Sequence, residues 1–455
     1  MMTNAMPDED LTKLRTEGDL NISPLRSAWS AENIDSQTQK LLDQDSKYFL
    51  HQSLSTPCLN VLSKCDGIYI EDINGNRIMD FHGNNVHQVG FGNPDVIEAI
   101  KSQIDQLSFC TRRYTNLPAI KLAQKLVEIT SGQLNKVLFA PSGSLAVGMA
   151  LKLARVVTGR FKTISLWDSF HGAGLDTISI GGEAIFRNDI GPLLPGTEHV
   201  PPPYPSTCVW ECGQTCNLKC ANYIEYVLEK EGDVGAVIAE TIRSTSITPP
   251  PEYWKTVREA CSKHGALLIL DEIPHSLGRT GKMFTYQHYG IVPDMLVIGK
   301  GLGGGIFPLA ALITREDFDI MPDRALGHYT HEKNPVACAA GLAAIEYTES
   351  EGLVKNAETV GEYAIHRLQT MMDTYDIIGA VRGMGLLIGV ELVKTRQSME
   401  PAIDQAERVM YMSLSKGLNF KVTMGNILTL TPPLTITKQE MDKAIDILSE
   451  CFSQL

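Results

Sequence analysis

The sequence has little that would direct it to nucleic acid or to a membrane. Its 455 residues include 40 lysines and arginines against 53 aspartates and glutamates, so the formal net charge is −13 and no bulk basic field attracts polyanions. The longest apolar runs, such as 266–270, are far shorter than the roughly 20 residues that cross a bilayer. Residues 1–20 lack the basic start and apolar stretch of a secretory signal. We therefore expect a cytoplasmic protein without nucleic-acid or membrane partners.

The cysteines are expected to be reduced thiols, because no export signal accompanies them. Four of them recur at intervals of four residues: Cys208, Cys212, Cys216 and Cys220. Structural zinc sites usually combine close pairs from separate parts of a fold, and four sulfurs along one helix cannot surround a tetrahedral ion. We therefore favour packed or exposed thiols over a metal site.

The composition is that of an ordinary globular chain, with 43% hydrophobic and 20% charged residues. Residues 1–45 are polar with little periodicity, which suggests an arm that is ordered only by packing against something else. Alternating apolar residues around Asn74-Gly75 predict a hairpin. We divide the chain into an N-terminal arm and hairpin region (1–75), a large domain (76–335) and a small C-terminal domain (336–455).

Strand-like runs alternate with helical patterns or loops in the middle of the chain. The runs are 136–139, 163–166, 236–239, 266–270 and 295–298. This alternation predicts an α/β fold with a mostly parallel central sheet and helices on both faces. Helical patterns over 337–349 and 354–374, followed by an apolar strand over 386–392, predict a smaller α+β domain at the C-terminal end.

Three of the predicted strands lead into residues that can carry chemistry. Asp271 follows one strand, Lys300 stands between glycines after another, and the turn Ser142-Gly143-Ser144 begins a helix after a third. Ligands of open α/β sheets bind at these carboxyl ends. The turn alone could be a helix cap and the carboxylate alone a salt-bridge partner. A lysine between glycines, with its amine desolvated, suits a nucleophile.

One cofactor uses all three features. Pyridoxal 5'-phosphate needs a lysine amine, a carboxylate that keeps its pyridine nitrogen protonated, and a site for its phosphate. The chain also resembles the class III family of pyridoxal-phosphate aminotransferases, which has the aspartate aminotransferase type I fold, from about Cys58 to the C-terminus. The motifs that carry the resemblance are Leu268–Glu272, Gly278–Gly281, Gly299–Gly305, Asn334-Pro335 and Pro432–Leu434.

The resemblance implies roles for the residues at the strand ends. Lys300 would bind the cofactor covalently and then shuttle protons, and Asp271 would pair with the pyridine nitrogen. The phosphate would be held by Ser142, Gly143 and Ser144.

The resemblance also implies roles for residues elsewhere in the chain. Phe170, in the pattern Phe170-His171-Gly172, would stack on the cofactor ring, and His171 would join the cofactor site. Glu240 occupies the family's active-site glutamate position. Thr330 matches a threonine that reaches the phosphate of a neighbouring subunit, which implies a homodimer.

One departure from the family pattern bears on the substrate. Relatives that use 2-oxoglutarate commonly have an arginine where this chain has Thr429, and threonine cannot clamp a carboxylate. One explanation is that another arginine binds the substrate anion, and the candidates are Arg243, Arg112 and Arg113. Alternatively the enzyme has no oxo-acid acceptor, because lyases of this family expel a substituent next to the amine-bearing carbon and release ammonia.

The sequence, including Phe49–Pro57, is most similar to the family branch that eliminates ammonia from 1-hydroxy-2-aminoethylphosphonate and yields phosphonoacetaldehyde. Our leading hypothesis is such an ammonia-lyase. The first alternative is an aminotransferase for an ω-amine or an aminophosphonate with a pyruvate-type acceptor, and an aminomutase is a lesser one. The second is a binding protein of the same fold without turnover, against which the presence of Lys300 argues.

Overall fold

A computed structural model of the chain describes residues 22–204, 208–212 and 216–455. Its N-terminal part consists of α1 (Pro24–Asn33), α2 (Ser36–Tyr48), β1 (Leu62–Asp66), β2 (Tyr69–Asp72) and β3 (Arg77–Asp80).

The hairpin predicted around Asn74-Gly75 is confirmed, since β2 and β3 pair antiparallel across this turn. The two N-terminal helices were not predicted, because their sequences are polar. Their starting residues did carry a signal: the side chains of Ser23 and Asp35 accept hydrogen bonds from backbone N–H groups of the first turns of α1 and α2. The Trp29 indole on α1 donates to the hydroxyl of Ser415, so this helix is ordered by packing on the C-terminal part.

The middle of the chain forms the large domain around a seven-stranded sheet. Its elements are α3 (Pro94–Gln106), α4 (Leu117–Ile129), β4 (Lys136–Ala140), α5 (Gly143–Thr158), β5 (Lys162–Leu166), α6 (Leu175–Ile180), β6 (Thr197–Val200), α7 (Lys219–Glu231), β7 (Val234–Glu240), α8 (Tyr253–His264), β8 (Leu267–Asp271), β9 (Met295–Ile298) and β10 (Ala310–Thr314).

The strands of this sheet run in the order β4-β10-β9-β8-β7-β5-β6. The pairs from β9 to β6 are parallel, whereas β10 is antiparallel to both of its neighbours. The prediction of a mostly parallel sheet is therefore confirmed. Alternate residues of β7 belong to different hydrophobic clusters on the two faces of the sheet. Ile238 is in the cluster that contains α5 residues, and Val237 is in the cluster that contains α4 and α8 residues. Both faces are thus covered by helices, as expected for buried parallel strands.

The C-terminal part forms the small domain. Its elements are α9 (Pro335–Ser350), α10 (Leu353–Met371), β11 (Ile378–Met384), β12 (Leu387–Leu392), α11 (Ile403–Ser415), β13 (Leu418–Asn419), β14 (Lys421–Thr423), β15 (Ile427–Leu430) and α12 (Lys438–Phe452). Four of the strands form an antiparallel sheet in the order β11-β12-β15-β14.

The hairpin region and the small domain share a sheet and a hydrophobic core. Strand β13 pairs parallel with β3, which completes the sheet β1-β2-β3-β13. Ile68 and Phe81 of the N-terminal part are buried in the same cluster as Leu418 and Phe420. Residues 62–81 therefore pack as part of the small domain. In the sequence, the large-domain residues lie between the two segments that build this core.

The regular cysteine spacing does not correspond to one helix. Cys220 lies in α7, while Cys208, Cys212 and Cys216 precede that helix, and residues 213–215 lie outside the described part. Within the described ranges, no group of three or more histidine, cysteine, aspartate or glutamate side chains is arranged to hold a metal ion. None of the described helices combines the length and apolar character needed to span a bilayer.

Candidate active site

The carboxyl edge of the seven-stranded sheet brings three predicted residues together. Glu240 and Asp271 are the last residues of the adjacent parallel strands β7 and β8, and they pair with each other in the register. Lys300 follows β9, the next strand along, after the single residue Gly299. Parallel strands end at a common edge, so residues that follow them meet there whatever their separation in the chain.

Asp271 is held rigidly in the interior. It is only 2% exposed, and its Oδ2 lies 2.8 Å from Nδ1 of the buried His171. Its Oδ1 accepts a hydrogen bond of 3.1 Å from the backbone N–H of Ile273. A carboxylate can only accept, so Nδ1 of His171 carries the proton of this pair. The other ring nitrogen of His171, Nε2, is buried without a hydrogen-bond partner among the described residues.

Glu240 orders the segment that presents Phe170. Its Oε1 accepts from the backbone N–H of Phe170 at 3.3 Å, and its Oε2 accepts from the backbone N–H of Ser244 at 3.1 Å. The ring of Phe170 packs on that of Phe186 with centroids 4.6 Å apart. Glu240 therefore holds the backbone at the start of the Phe170-His171 segment. The phenyl rings of Phe170 and Phe186 both line one cavity.

The turn Ser142-Gly143-Ser144 forms a cradle at the start of α5. Ser142 caps the helix by accepting from the backbone N–H of Leu145 at 3.4 Å, and Ser144 Oγ accepts from the backbone N–H of Ala173 at 3.2 Å. A Cβ on Gly143 would lie 2.7 Å from Ile273 Cδ1, and one on Gly172 would lie 2.1 Å from Ser144 Oγ. At Gly172, whose φ is 124°, the close approach to Ser144 requires glycine, and the N-terminus of a long helix favours an anion.

Lys300 lines a cavity of about 360 Å³ between the large and small domains. Lys300 begins a one-turn 3-10 helix. Its φ is 48°, in the left-handed region that residues other than glycine rarely adopt. The residues that line the cavity are Leu54, Leu59, His82, Asn84, Phe170, Phe186, Lys300, Met410, Tyr411, Leu414, Asn419, Phe420 and Lys421.

The loop after β3 forms part of the cavity wall. Burial, together with the charges of Lys421, His87 and Lys300, lowers the pKa of His82 to about 3, so its ring is neutral near neutral pH. Asp80 orders this wall, because its Oδ1 accepts from the backbone N–H of His82 at 2.9 Å and from Asn419 Nδ2 at 2.8 Å.

Arg243 lies in a buried cluster of charges. It is 4% exposed, its Nη2 is 2.9 Å from Glu183 Oε1, and its Nε is 3.7 Å from Glu240 Oε1. Its Nη1 also lies 3.4 Å from the hydroxyl of Tyr204. Arg243 is not among the residues that line the cavity around Lys300. Two carboxylates flank it, and its part in substrate binding stays a prediction.

The other predicted residues lie away from this cavity. Arg112 is exposed and bonds His328 Nδ1 at 2.5 Å and the carbonyl of Tyr329 at 3.0 Å. Arg113 and Thr330 are also exposed. None of these three lines the cavity of its own chain.

Sequence reasoning missed the cavity wall that the small domain supplies. This wall consists of the end of α11 and the segment 419–421, with Met410, Tyr411, Leu414 and Lys421. The strands β13 and β14 have two and three residues, too short to leave a periodic pattern. The available signal was Lys421 itself, a lysine between the apolar residues Phe420 and Val422.

Comparisons with known proteins agree with this geometry. The family description "Aminotransferase class-III" matches residues 51–452. The chain belongs to the class III aminotransferase family. It is 46% identical to the (R)-1-hydroxy-2-aminoethylphosphonate ammonia-lyase of Vibrio splendidus, with 100% of this chain and 98% of the relative aligned. It is 36% identical to the leucine/methionine racemase of Thermococcus litoralis, over 92% of this chain and 96% of that protein.

Solved structures of the family share the fold. An amine transaminase from an uncultivated Pseudomonas species, determined in a PLP-bound form, superposes with a TM-score of 0.83 and 30% identity, over 90% of this chain and 98% of that one. The protein is thus an enzyme with the α/β fold of pyridoxal-phosphate transaminases. Relatives with lyase, racemase and transaminase names show that this one fold supports several reactions, so the reaction must be argued from the site.

Proposed function

We propose that the protein is a pyridoxal-phosphate-dependent ammonia-lyase that converts 1-hydroxy-2-aminoethylphosphonate to phosphonoacetaldehyde and ammonia. The observation that carries the proposal is the 46% identity, along the full chain, to a relative named for this reaction. The cavity supports it, because Lys300 lines a space of about 360 Å³ between the two domains, which has room for a small amino phosphonate.

The residues present fit the cofactor. The glycine-dependent cradle at Ser142-Gly143-Ser144 suits a phosphate at a helix N-terminus, and the buried Asp271 carboxylate suits a protonated ring nitrogen. Lys300 supplies the amine, and Phe170 supplies an aromatic wall of the cavity. When bound, pyridoxal phosphate would supply an electron sink next to the substrate nitrogen.

The proposed roles of the protein's own residues follow from their surroundings. The amine of Lys300 would take the proton from the amine-bearing carbon of the substrate. Asp271, held by His171, would keep a proton on the ring nitrogen of the cofactor. Glu240 would act as a positioning residue, because its oxygens bind the backbone at Phe170 and Ser244.

The proposed reaction balances without any acceptor. The substrate loses a proton from the amine-bearing carbon and hydroxide from the neighbouring carbon, which together make one water. Addition of one water to the resulting carbon–nitrogen product releases ammonia and leaves the aldehyde. No oxidant, reductant or oxo acid is consumed.

The proposal includes a homodimer. Thr330, Arg112 and Arg113 are exposed and lie outside the cavity of their own chain, which is where residues that complete a partner's site would be found. Light scattering of the purified protein should give the mass of two chains, and a monomer that turns over at full rate would contradict this part of the proposal.

The decisive experiment incubates the holoenzyme with 1-hydroxy-2-aminoethylphosphonate and no oxo acid. We expect many molecules of ammonia per site, with equal amounts of phosphonoacetaldehyde. A transaminase, which the family membership makes the second candidate, would transfer one amino group per site and stop until pyruvate is added. Turnover that requires pyruvate and yields alanine in place of ammonia would therefore overturn the lyase proposal.

A further inference from the structure

His82 faces the active-site cavity from the loop that follows β3. Its side chain is only partly buried, and it lines the cavity together with Lys300. The charge of the Lys300 amine contributes to the lowered pKa of the His82 ring, so the ring lies within electrostatic range of that amine. The substrate proposed above carries its hydroxyl on the carbon next to the amine-bearing carbon. His82 is therefore in the region of the cavity where that hydroxyl would lie.

The backbone holds His82 firmly at this wall. Its N–H donates to Asp80 Oδ1 at 2.9 Å, and its carbonyl accepts from the backbone N–H of Asn85 at 3.0 Å. The three residues that follow, Gly83, Asn84 and Asn85, all have left-handed φ values, of 41°, 46° and 58°. Such backbone persists where the surrounding structure over-determines it, and it is common at ligand sites. The loop therefore presents His82 to the cavity from a fixed position.

The imidazole of His82 is available to a ligand. Within the described part of the chain, neither of its ring nitrogens has a hydrogen-bond partner. Burial and the charges around it keep the ring neutral near neutral pH, so one nitrogen donates a hydrogen bond and the other accepts one. A neutral ring gives a phosphonate no charge to pair with. An alcohol also donates and accepts, so the hydroxyl of the substrate is the group that the ring matches.

We infer that His82 binds the hydroxyl group of the substrate and thereby selects hydroxylated amines over amines without a hydroxyl; this inference rests on the proposed function. The hydrogen bond orients the carbon–oxygen bond that breaks in the proposed reaction. A site that hydrogen-bonds a substrate hydroxyl discriminates against an analogue that lacks it, because a polar group of the site then stays unpaired. Phe81, the residue before His82, belongs to the core of the small domain, so the contact comes from the small-domain side of the cavity.

The test compares two ligands that lack an amine and so cannot react with the cofactor. Ethylphosphonate has no hydroxyl, whereas 1-hydroxyethylphosphonate has one, and each is titrated into the holoenzyme by calorimetry, the second as separate enantiomers. The better enantiomer should bind the wild type roughly three- to tenfold more tightly than ethylphosphonate, as one hydrogen bond implies. The change His82→Phe keeps a ring of similar size and removes both nitrogens, so this ratio of affinities should fall to about one.

Three further variants serve as controls. His82→Asn and His82→Gln place an amide near the positions of Nδ1 and Nε2, and one of the two should restore the preference for the hydroxylated ligand. His366→Phe makes the matched change on the exposed face of α10, outside the cavity lining, and should leave the ratio as in the wild type. If His82→Phe does not fold, as judged by circular dichroism, His82→Leu takes its place.

The results separate this inference from the proposed function. Equal affinities of the two ligands for the wild type, or no measurable binding of 1-hydroxyethylphosphonate, would overturn the inference even if ammonia is released without an acceptor. An unchanged ratio in folded His82→Phe, or a loss that neither amide variant reverses, would overturn it as well. A ratio that falls in His82→Phe and is restored by an amide would support the hydroxyl site even if the acceptor-free assay failed. If both hold, His82→Phe should also lower kcat/KM for ammonia release by at least the same factor.

Discussion

The two walls of the active-site cavity differ in how the chain builds them. On the large-domain side, Phe170 and Lys300 line the cavity, and Asp271 and Glu240 lie at the same sheet edge as Lys300 without being part of the lining. The small-domain wall consists of a helix end and a strand of three residues that carries Lys421. The proposed function assigns the chemistry to the residues of the sheet edge, whereas the small-domain wall can change without disturbing the central sheet. Substrate choice is therefore expected to depend on the second wall.

The largest effect that this comparison predicts is at Lys300. The change Lys300→Ala should reduce ammonia release on the order of 10³-fold or more, because it removes the proton-transfer group. Borohydride treatment of the holoenzyme followed by mass spectrometry should add the mass of the cofactor to the wild type and not to the variant. If Lys300→Ala gained the mass of the cofactor as completely as the wild type, the proposed division of roles between the two walls would be wrong.

A smaller loss is expected at Asp271. The change Asp271→Asn keeps the size of the side chain and removes its charge, and the rate of ammonia release should fall on the order of 10²- to 10³-fold. The effect should be in kcat, whereas KM should change little. The matched change His171→Asn removes only the group that orients the carboxylate, so its effect should be smaller. Equal effects of the two variants would contradict the assigned roles.

At Arg243 the expected effect is on stability. Because this arginine is buried between Glu183 and Glu240, Arg243→Met leaves carboxylates without their cation, and the free energy of unfolding should fall by about 3–5 kcal/mol. Urea denaturation measures this change. The exposed Arg112 provides a control, and Arg112→Met should leave the unfolding midpoint nearly unchanged. An Arg243→Met protein as stable as the wild type, with a raised KM for the substrate, would instead assign Arg243 to substrate binding.

The smallest effect concerns pH and the buried His87, which lies in the loop after β3 with its Nε2 3.1 Å from the carbonyl of Asp80. Burial and the charge of Arg279 lower its pKa from 6.5 to about 3, so the folded state keeps the ring neutral while the unfolded chain takes up a proton. This stabilisation is complete above about pH 6.5 and is lost as the pH falls toward 3.

The matching measurement is urea unfolding over this pH range. The free energy of unfolding of the wild type should decline with falling pH, and His87→Gln should make the decline shallower by up to about 1.4 kcal/mol per pH unit. Identical slopes for the two proteins would show that His87 does not couple protonation to folding.

Much of the large domain could be predicted from the sequence, because its strands are continuous apolar runs and its functional residues follow them. Asp271 and Lys300 are separated by 28 intervening residues, yet the parallel register alone places them at one edge. The helices before residue 49 were missed because their sequences are polar, and only their capping residues marked them.

The small-domain wall could not be predicted for a different reason. Nothing local relates Lys421 to Lys300, since their proximity depends on β14 pairing with β15 and on the small domain packing over the sheet edge. The buried pairing of Arg243 with Glu183 is likewise a contact over 60 positions that no spacing rule indicates. Sequence patterns therefore indicated the chemistry more fully than the substrate.

The most direct test of the account is a crystal structure of the holoenzyme. The account predicts the cofactor attached at Lys300 and its ring nitrogen within hydrogen-bond distance, about 2.7–3.0 Å, of the Asp271 carboxylate. A cofactor attached at another residue, or a ring nitrogen that makes no contact with Asp271, would contradict it.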